Sequence, residues 1–363
     1  MNNEQRERMY QRYKKMFDPL YDISVCRADE IGAVQAFIDR YWKKGHTLVK
    51  SRALMDWQHR DPENGTYHFI VARSKKTGQI HAIEGFIPTS EFDPSIRTPM
   101  TWGAIWKTVE GVAPPGLGMV VKQYREHEYA GAYASEVGIS SDAMTYSKSQ
   151  GKQVYQLETW YMANPYMEEY HLIRRPSGEQ RAEKMAASGS AVSLRRVGRE
   201  EWAAAAAGAG EEKIPPFKSV QYYCGRYFDH PVYHYDAFLL RDGETGGSEI
   251  LMCRTAQAPE GKCIFAVDYI GDGKVLAKAG GALRELLREE GAEYMLFLCS
   301  GMPSQVMEEA GFSMRERDGA VIPVYYEPFY PENVDIYCTT PHAEVTWRTF
   351  KGDADQDRPN VLD

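Results

Sequence analysis

The residues best placed to do chemistry gather around one glycine turn, Val112-Ala113-Pro114-Pro115-Gly116-Leu117-Gly118-Met119. It follows a strand-like run, Met100 to Val109, and opens a helix-like run, Met119 to Glu128. A turn of this kind leaves main-chain N–H groups uncovered. With the positive end of the helix dipole, they form a site for a phosphate or pyrophosphate. Glycine lets the backbone approach a ligand with no Cβ in the way. The same glycines would also serve a plain turn. Glu110 is the one carboxylate just ahead of the turn, and a base or a solvated strand-end residue are both open to it.

A second group lies between Gly45 and His59. Trp57 could stack on a polar ring, and His46 or His59 could hydrogen-bond or move a proton. The two histidines lack the i,i+4 spacing of a helical metal pair, so no metal site is expected. Glu84, between Ile83 and Gly85 on a strand, faces either the same cleft or solvent, because strand faces alternate. Near the C-terminus, Asp353, Asp355 and Asp357 alternate as in a calcium loop. That loop needs Gly at its sixth position, where Arg358 stands, so calcium is not indicated. An ordered tail that packs back on the body is expected, with Lys351 and Arg358 pairing the carboxylates. A disordered acidic tail is the alternative.

The elements that must position these groups read as a mixed α/β chain. Met1 to Tyr21 is a polar arm or helix. Helical spacing follows over Ala28 to Tyr41 and Leu48 to His59. Strands are expected at His68 to Arg73, Ile80 to Ile87 and Met100 to Val109, then after the turn and its helix at Gly131 to Ile139. A Ser-capped helix, Ser140 to Gln150, precedes a strand over Val154 to Met162. Arg175 to Ser190, small and polar, reads as a linker. The second half repeats the theme with a hairpin (Tyr235 to Leu240, Glu249 to Arg254), a strand (Lys262 to Ile270), a helix (Lys274 to Glu290), a strand (Glu293 to Cys299) and a helix (Pro303 to Ala310).

With 363 residues the chain suits two domains, and 43% hydrophobic residues can fill their cores. A net charge of −8 argues against nucleic acid as a partner. No apolar run reaches membrane-spanning length. The first residues lack the apolar core of a signal peptide, so a cytoplasmic location is expected. Six scattered cysteines suit reduced thiols rather than a disulfide frame. Hairpin edges and helix faces are compatible with a monomer or a homodimer.

The element order, with a glycine turn after the central strand, resembles the GCN5-related N-acetyltransferase superfamily over Val25 to Asn164, and more faintly over Ser193 to Phe329. The family's pyrophosphate signature is Gln/Arg-x-x-Gly-x-Gly/Ala. Here it reads Ala113-x-x-Gly116-x-Gly118, with the leading side chain missing. Ala143-Met144-Thr145-Tyr146 ahead of Gly151 is similar to the family's Ala-x-x-Tyr-x-x-x-Gly helix, with one extra residue.

The resemblance implies two tandem acyl-CoA N-acyltransferase-like domains, each a twisted mixed sheet flanked by helices. The expected divisions are an arm (1–21), an acyl-CoA-binding unit (22–174), a linker (175–191), a degenerate second unit (192–330) and a tail (331–363). It implies acetyl-CoA or another acyl-CoA as cofactor, held by Val112, Ala113, Gly116, Leu117, Gly118 and Met119. Tyr146 would protonate the leaving thiolate, and Glu110, near the acyl carbonyl, would be the base. His46, Trp57, His59 and Glu84 would line the pocket of a small-molecule amine acceptor, an amino sugar being favoured. In the second unit Asp268 and Asp272 would repel a pyrophosphate, so no coenzyme is expected there. Two other readings are an aminoacyl transferase using tRNA, like the Fem-type tandem enzymes, and a binding module without catalysis.

Overall fold

The computed structural model describes residues 3–129, 133–175, 192–209, 215–340 and 347–362. The expected linker lies outside the described residues except for Arg175. The first sheet has the order β1 (Tyr21–Arg27), β2 (Thr66–Ser74), β3 (Ile80–Pro88), β4 (Met100–Thr108), β5 (Tyr133–Glu136), with Arg60–Asp61 also paired to β2. Its neighbours are antiparallel except β4 and β5, which run parallel. β2 and β3 are apolar on both faces because both faces are covered. Phe69, Val71 and Ile83 pack under α2 (Ile31–Phe37) and α3 (Arg52–His59). Ile70, Ala72, Ala82 and Phe86 pack under α4 (Leu117–Glu128) and the N-terminal helix α1 (Asn3–Phe17).

The N-terminal arm is therefore part of the body. Tyr10, Tyr13 and Phe17 form a stripe at helical spacing, Tyr10 and Phe17 are buried, and Tyr10 stacks on His127 at 4.5 Å. A composition count hid this stripe among the charges around it.

The second sheet repeats the plan. Its order is β13 (Ser313–Met314), β7 (Glu158–Ala163), β12 (Tyr294–Ser300), β11 (Gly261–Ile270), β10 (Ser248–Ala258), β9 (Asp236–Asp242), β8 (Val192–Val197). Again only one pair, β11 with β12, is parallel. α7 (Gly280–Glu290) buries Leu283, Leu286 and Leu287 against one face. The other face joins Trp202, Tyr222, Tyr223 and Tyr227 in a core that continues into Ile87, Phe92 and Trp102 of the first half. α6 (Arg199–Ala209) carries Trp202, and α8 (Ser304–Glu309) precedes β13.

The run Val154 to Met162, expected as one strand, is two strands in two sheets. β6 (Gln153–Gln156) pairs with β14 (Tyr337–Thr340), and β14 reaches β5 through a bridge between Val137 and Cys338. β7 crosses over and pairs with β12 and β13. Buried Leu157 marks the crossing, its N–H donating to the Ile336 carbonyl at 2.8 Å. The first half thus gives β7 to the second sheet, and β14 of the second half pairs with β6 and bridges to Val137 just after β5. A cut at residue 174 takes β7 from the second sheet, and a cut at 331 takes β14 from β6, because edge pairing is decided by tertiary contacts that alternation does not encode. Among the described residues no helix is long and apolar enough to cross a membrane. The six cysteines are buried and unpaired.

The exchange makes the halves interdependent. Heat or denaturant should unfold the chain in one transition, seen alike by far-UV dichroism and tryptophan fluorescence. Two separated transitions would contradict the interlock.

Candidate functional site

β4 and β5 pair from Met100/Tyr133 to Gly103/Glu136 and then part. β4 runs on to Thr108, while the chain after β5 turns toward β14, with the N–H groups of Gly138 and Ile139 donating to the Tyr337 carbonyl at 2.8 and 3.1 Å. The gap opens toward the N-terminus of α4. Gly116 is the residue before that helix, with φ 91° and ψ −12°, a left-handed conformation that favours glycine. Gly118 is needed for close packing instead. A Cβ there would lie 2.9 Å from Thr108 Cγ2, and its carbonyl accepts from Trp106 Nε1 at 2.8 Å. Its missing side chain lets α4 seat on β4. Among the described residues neither the Gly116 nor the Gly118 N–H donates to a protein acceptor. Around them Leu117 is buried, Met119 and Ala113 are half-buried, and Val112 is exposed.

Behind the gap lies a buried ionic cluster that sequence reasoning missed. Glu136 Oε1 lies 2.9 Å from Lys122 Nζ, 3.1 Å from Arg125 Nη2 and 3.7 Å from Lys152 Nζ. Thr339 Oγ1 donates to Glu136 Oε2 at 2.8 Å, which ties the exchanged strand β14 to the cluster. Glu84 sits 3.3 Å from both Lys122 and Arg125, and Lys152 also meets Glu126 at 2.8 Å. Burial works against ionising Glu136, but Lys122, Lys152 and Arg125 outweigh it and hold the carboxyl well below its usual range. At Glu84 burial dominates and the shift is upward. Gly103 is required here, since a Cβ would lie 2.8 Å from Glu136 Cγ. The available signal was the placing of Lys122 and Arg125 beside the apolar stripe Leu117, Val120, Val121 of one helix.

Tyr146 lies on α5 (Ser141–Ser149), which Ser140 caps by accepting the Ala143 N–H at 3.4 Å. Its ring is 5.5 Å from that of Trp106 and 5.7 Å from Lys122 Nζ. The hydroxyl is buried and has no hydrogen-bond partner among the described residues. Burial raises its pKa well above the ordinary value, so it stays protonated and has a proton to donate.

The other expected site residues are placed differently. Glu110 is in solvent, its side chain 85% exposed, and its hydrogen bond with Lys107 at 2.6 Å lowers its pKa. A solvated, ion-paired carboxylate is a poor base. His46, Trp57, His59 and Glu84 are not brought together. His46 caps the turn Thr47–Lys50 by accepting the Leu48 N–H at 3.2 Å. Trp57 donates to the Gly225 carbonyl at 2.9 Å and packs on His230, at the seam between the halves. His59 is buried against Phe69 and donates to the Phe86 carbonyl at 2.9 Å. Glu84 is on the opposite face of the sheet, under α4. Helix and strand periodicity placed these residues on elements without fixing which face met which neighbour.

Among the described residues no cluster of three or more His, Cys, Asp or Glu is arranged to hold a metal.

Burial lowers the pKa of His46 and His68 to about 4 and of His59 and His230 to about 3. An unfolded histidine titrates near 6.5. These four therefore contribute stability that is complete above that pH and lost as the pH falls toward 4 and 3, at about 1.4 kcal/mol per pH unit for each. Urea unfolding at pH 7.5, 6 and 5 should show a loss of several kcal/mol; a flat profile would contradict the buried neutral rings. Glu136→Gln should cost about 3–5 kcal/mol at pH 7, because it removes the carboxylate shared by three buried cations and leaves them only Glu84 and Glu126. A cost below 1 kcal/mol would show that the cluster is solvated.

No protein-family model and no curated protein sequence matches the chain. Solved structures do. A GCN5-related N-acetyltransferase from Anabaena variabilis ATCC 29413 superposes with a TM-score of 0.50 at 9% identity, over 88% of this chain and 72% of that one. A conserved protein of unknown function from Enterococcus faecalis V583 superposes with a TM-score of 0.51 at 9% identity, over 88% and 71%. The chain has the fold of the Anabaena GCN5-related N-acetyltransferase, a mixed α/β architecture, and each of its two main sheets has a single parallel strand pair.

Proposed function

We propose that the chain is an acyl-CoA-dependent N-acyltransferase whose coenzyme slot is the gap between β4 and β5. The observation that carries this is the unpartnered Tyr146 hydroxyl buried beside a parted strand pair whose mouth is a glycine-capped helix N-terminus. An orphaned buried hydroxyl costs about 1–3 kcal/mol, and a bound ligand atom would relieve it. The pyrophosphate would rest on the free N–H groups of Gly116 and Gly118 and the dipole of α4. The pantetheine arm would run along the unpaired edge of β4, residues 104–108, where main-chain N–H groups could polarise the thioester carbonyl.

An acceptor amine attacks that carbonyl, the C–N bond forms and the C–S bond breaks. Tyr146, protonated at all working pH, would give its proton to the leaving thiolate. The proton lost by the amine leaves through water, since Glu110 is solvated and ion-paired away from the slot. The acyl group is acetyl or of similar size in this reading, and the acceptor is a small polar amine. The sugar preference rested on His46, Trp57 and His59, and each is committed to structure, so the amino sugar is one candidate among such amines. Aminoacyl transfer from tRNA is disfavoured by the net charge of −8.

The test is calorimetric titration with acetyl-CoA beside turnover on an amine panel. Binding near micromolar is expected. Met119→Glu places a carboxylate in the first turn of α4, where the dipole favours it and the fold keeps its stability, yet it should weaken binding by about 10-fold or more through repulsion of the pyrophosphate. Tyr146→Phe, which removes the orphaned hydroxyl, should not destabilise the fold and should lower turnover by about 100-fold, the low end of general-acid effects. No binding by the unaltered protein would overturn the proposal. Binding without turnover on any amine would favour the non-catalytic module.

A further inference from the structure

The corresponding slot of the second half is filled from within the chain. β11 and β12 run parallel over Cys263–Ala266 and Tyr294–Phe297 and then part, as β4 and β5 do. Into this gap comes the C-terminal segment. β15 (Thr349–Phe350) pairs with Ser300 and Cys299 of β12. The Lys351 N–H then donates to the Leu298 carbonyl on β12 at 3.0 Å, and the Gly352 N–H to the Val267 carbonyl on β11 at 2.7 Å. One short stretch thus bridges both parted strands. A Cβ on Gly352 would lie 2.3 Å from Tyr227 Oη and 2.7 Å from the Val267 oxygen, so only glycine fits.

The mouth is filled as well. The turn before α7 offers its N–H groups as the turn before α4 does, but they are engaged. Gly273 donates to Glu249 Oε1 at 2.8 Å and Leu276 to Glu249 Oε2 at 2.6 Å, and the buried Glu249 also accepts from Tyr269 Oη. A carboxylate of the chain itself sits in the anion position. The sequence placed the repelling charges at Asp268 and Asp272. In the structure Asp272 pairs with Lys274 in solvent, and Asp268 points the other way, to Lys218.

The segment is clamped by charge. Lys218 Nζ lies 2.8 Å from both Asp268 Oδ2 and Asp353 Oδ1, the Arg226 guanidinium donates to the carbonyls of Gly352 and Ala354 at 2.8 Å, and Arg254 makes two hydrogen bonds to Asp357, at 2.7 and 3.0 Å. Burial would push the Lys218 ammonium down, but the two aspartates outweigh it and hold its pKa up. Asp353, Asp355 and Asp357 are all buried. Lys351, expected to pair with one of them, instead lies over the Phe265 ring at 4.8 Å.

We propose that the second unit's slot is a binding site for the chain's own segment Thr349–Asp353, with Glu249 as a built-in anion at the turn, so that the protein takes one acyl-CoA and not two. The stoichiometry rests on the function proposed above; the occupancy by the tail does not. Amide hydrogen exchange on the full chain tests it. The Lys351 and Gly352 amides should exchange with the core strands, on the order of 100-fold or more slower than an open tail. Lys218→Met should speed these two by about 10-fold and leave the amides of β3 unchanged. Fast exchange of Lys351 and Gly352 in the unaltered protein would overturn the proposal whether or not the variant folds. Adding acetyl-CoA should leave their exchange unchanged. If acetyl-CoA instead exposes them, or binds at two per chain, the slot is a second coenzyme site and the proposal fails. Protected amides with no acetyl-CoA binding would sink the function proposed above and leave the tail assignment standing.

Discussion

Glu136 holds together the parts on which the site depends. It ends the paired stretch of β5, so it stands where the first sheet begins to part. Its carboxylate meets Lys122 and Arg125 of α4, Lys152 after α5, and Thr339 of the strand donated by the second half. Without this carboxylate three cations would face one buried glutamate and a half-buried one, at a desolvation cost that packing alone could not offset. The interaction therefore fixes the seat of α4 on β4, and so the direction of its N-terminus, and it couples that geometry to the exchanged strand. Charge balance within the cluster explains why so polar an interior is tolerated.

From that constraint follows the difference between the two halves. Both keep a parallel strand pair that parts, and both keep a glycine turn leading into a helix. In the first half, among the described residues, the Gly116 and Gly118 N–H groups and the Tyr146 hydroxyl have no protein partner. In the second, a glutamate and a strand of the tail satisfy the same kinds of group. Buried main-chain polar atoms must be paired, so a parted strand pair that holds no ligand needs an internal substitute. The tail is such a substitute, and its clamp draws on Lys218, Arg226 and Arg254.

Much of the local structure was legible. Gly116 and Gly118 marked the turn, Ser140 the cap of α5, and the apolar runs the central strands. What failed was partnership between distant residues. Val154 to Met162 has one strand pattern, yet Leu157 divides it between two sheets, because edge pairing is chosen by neighbours. Lys122, Arg125 and Glu136 did not stand out, because a one-dimensional pattern assigns charge to water unless a partner is known. Gly118 read as room for a phosphate, and its missing Cβ is also what leaves room for Thr108. Asp353, Asp355 and Asp357 were visible as an unusual alternation; Arg358 pairs with Asp355 as expected, but Lys218 and Arg254, which meet the other two, lie far upstream in the chain.

The most direct measurement of the central claim is a crystal structure of the full chain grown with acetyl-CoA. The account predicts one coenzyme per chain, its pyrophosphate on the N-terminus of α4, its thioester within reach of Tyr146, and residues 349–353 still between β11 and β12. A coenzyme lying between β11 and β12 with the tail displaced, or no coenzyme between β4 and β5 at saturating concentration, would contradict it.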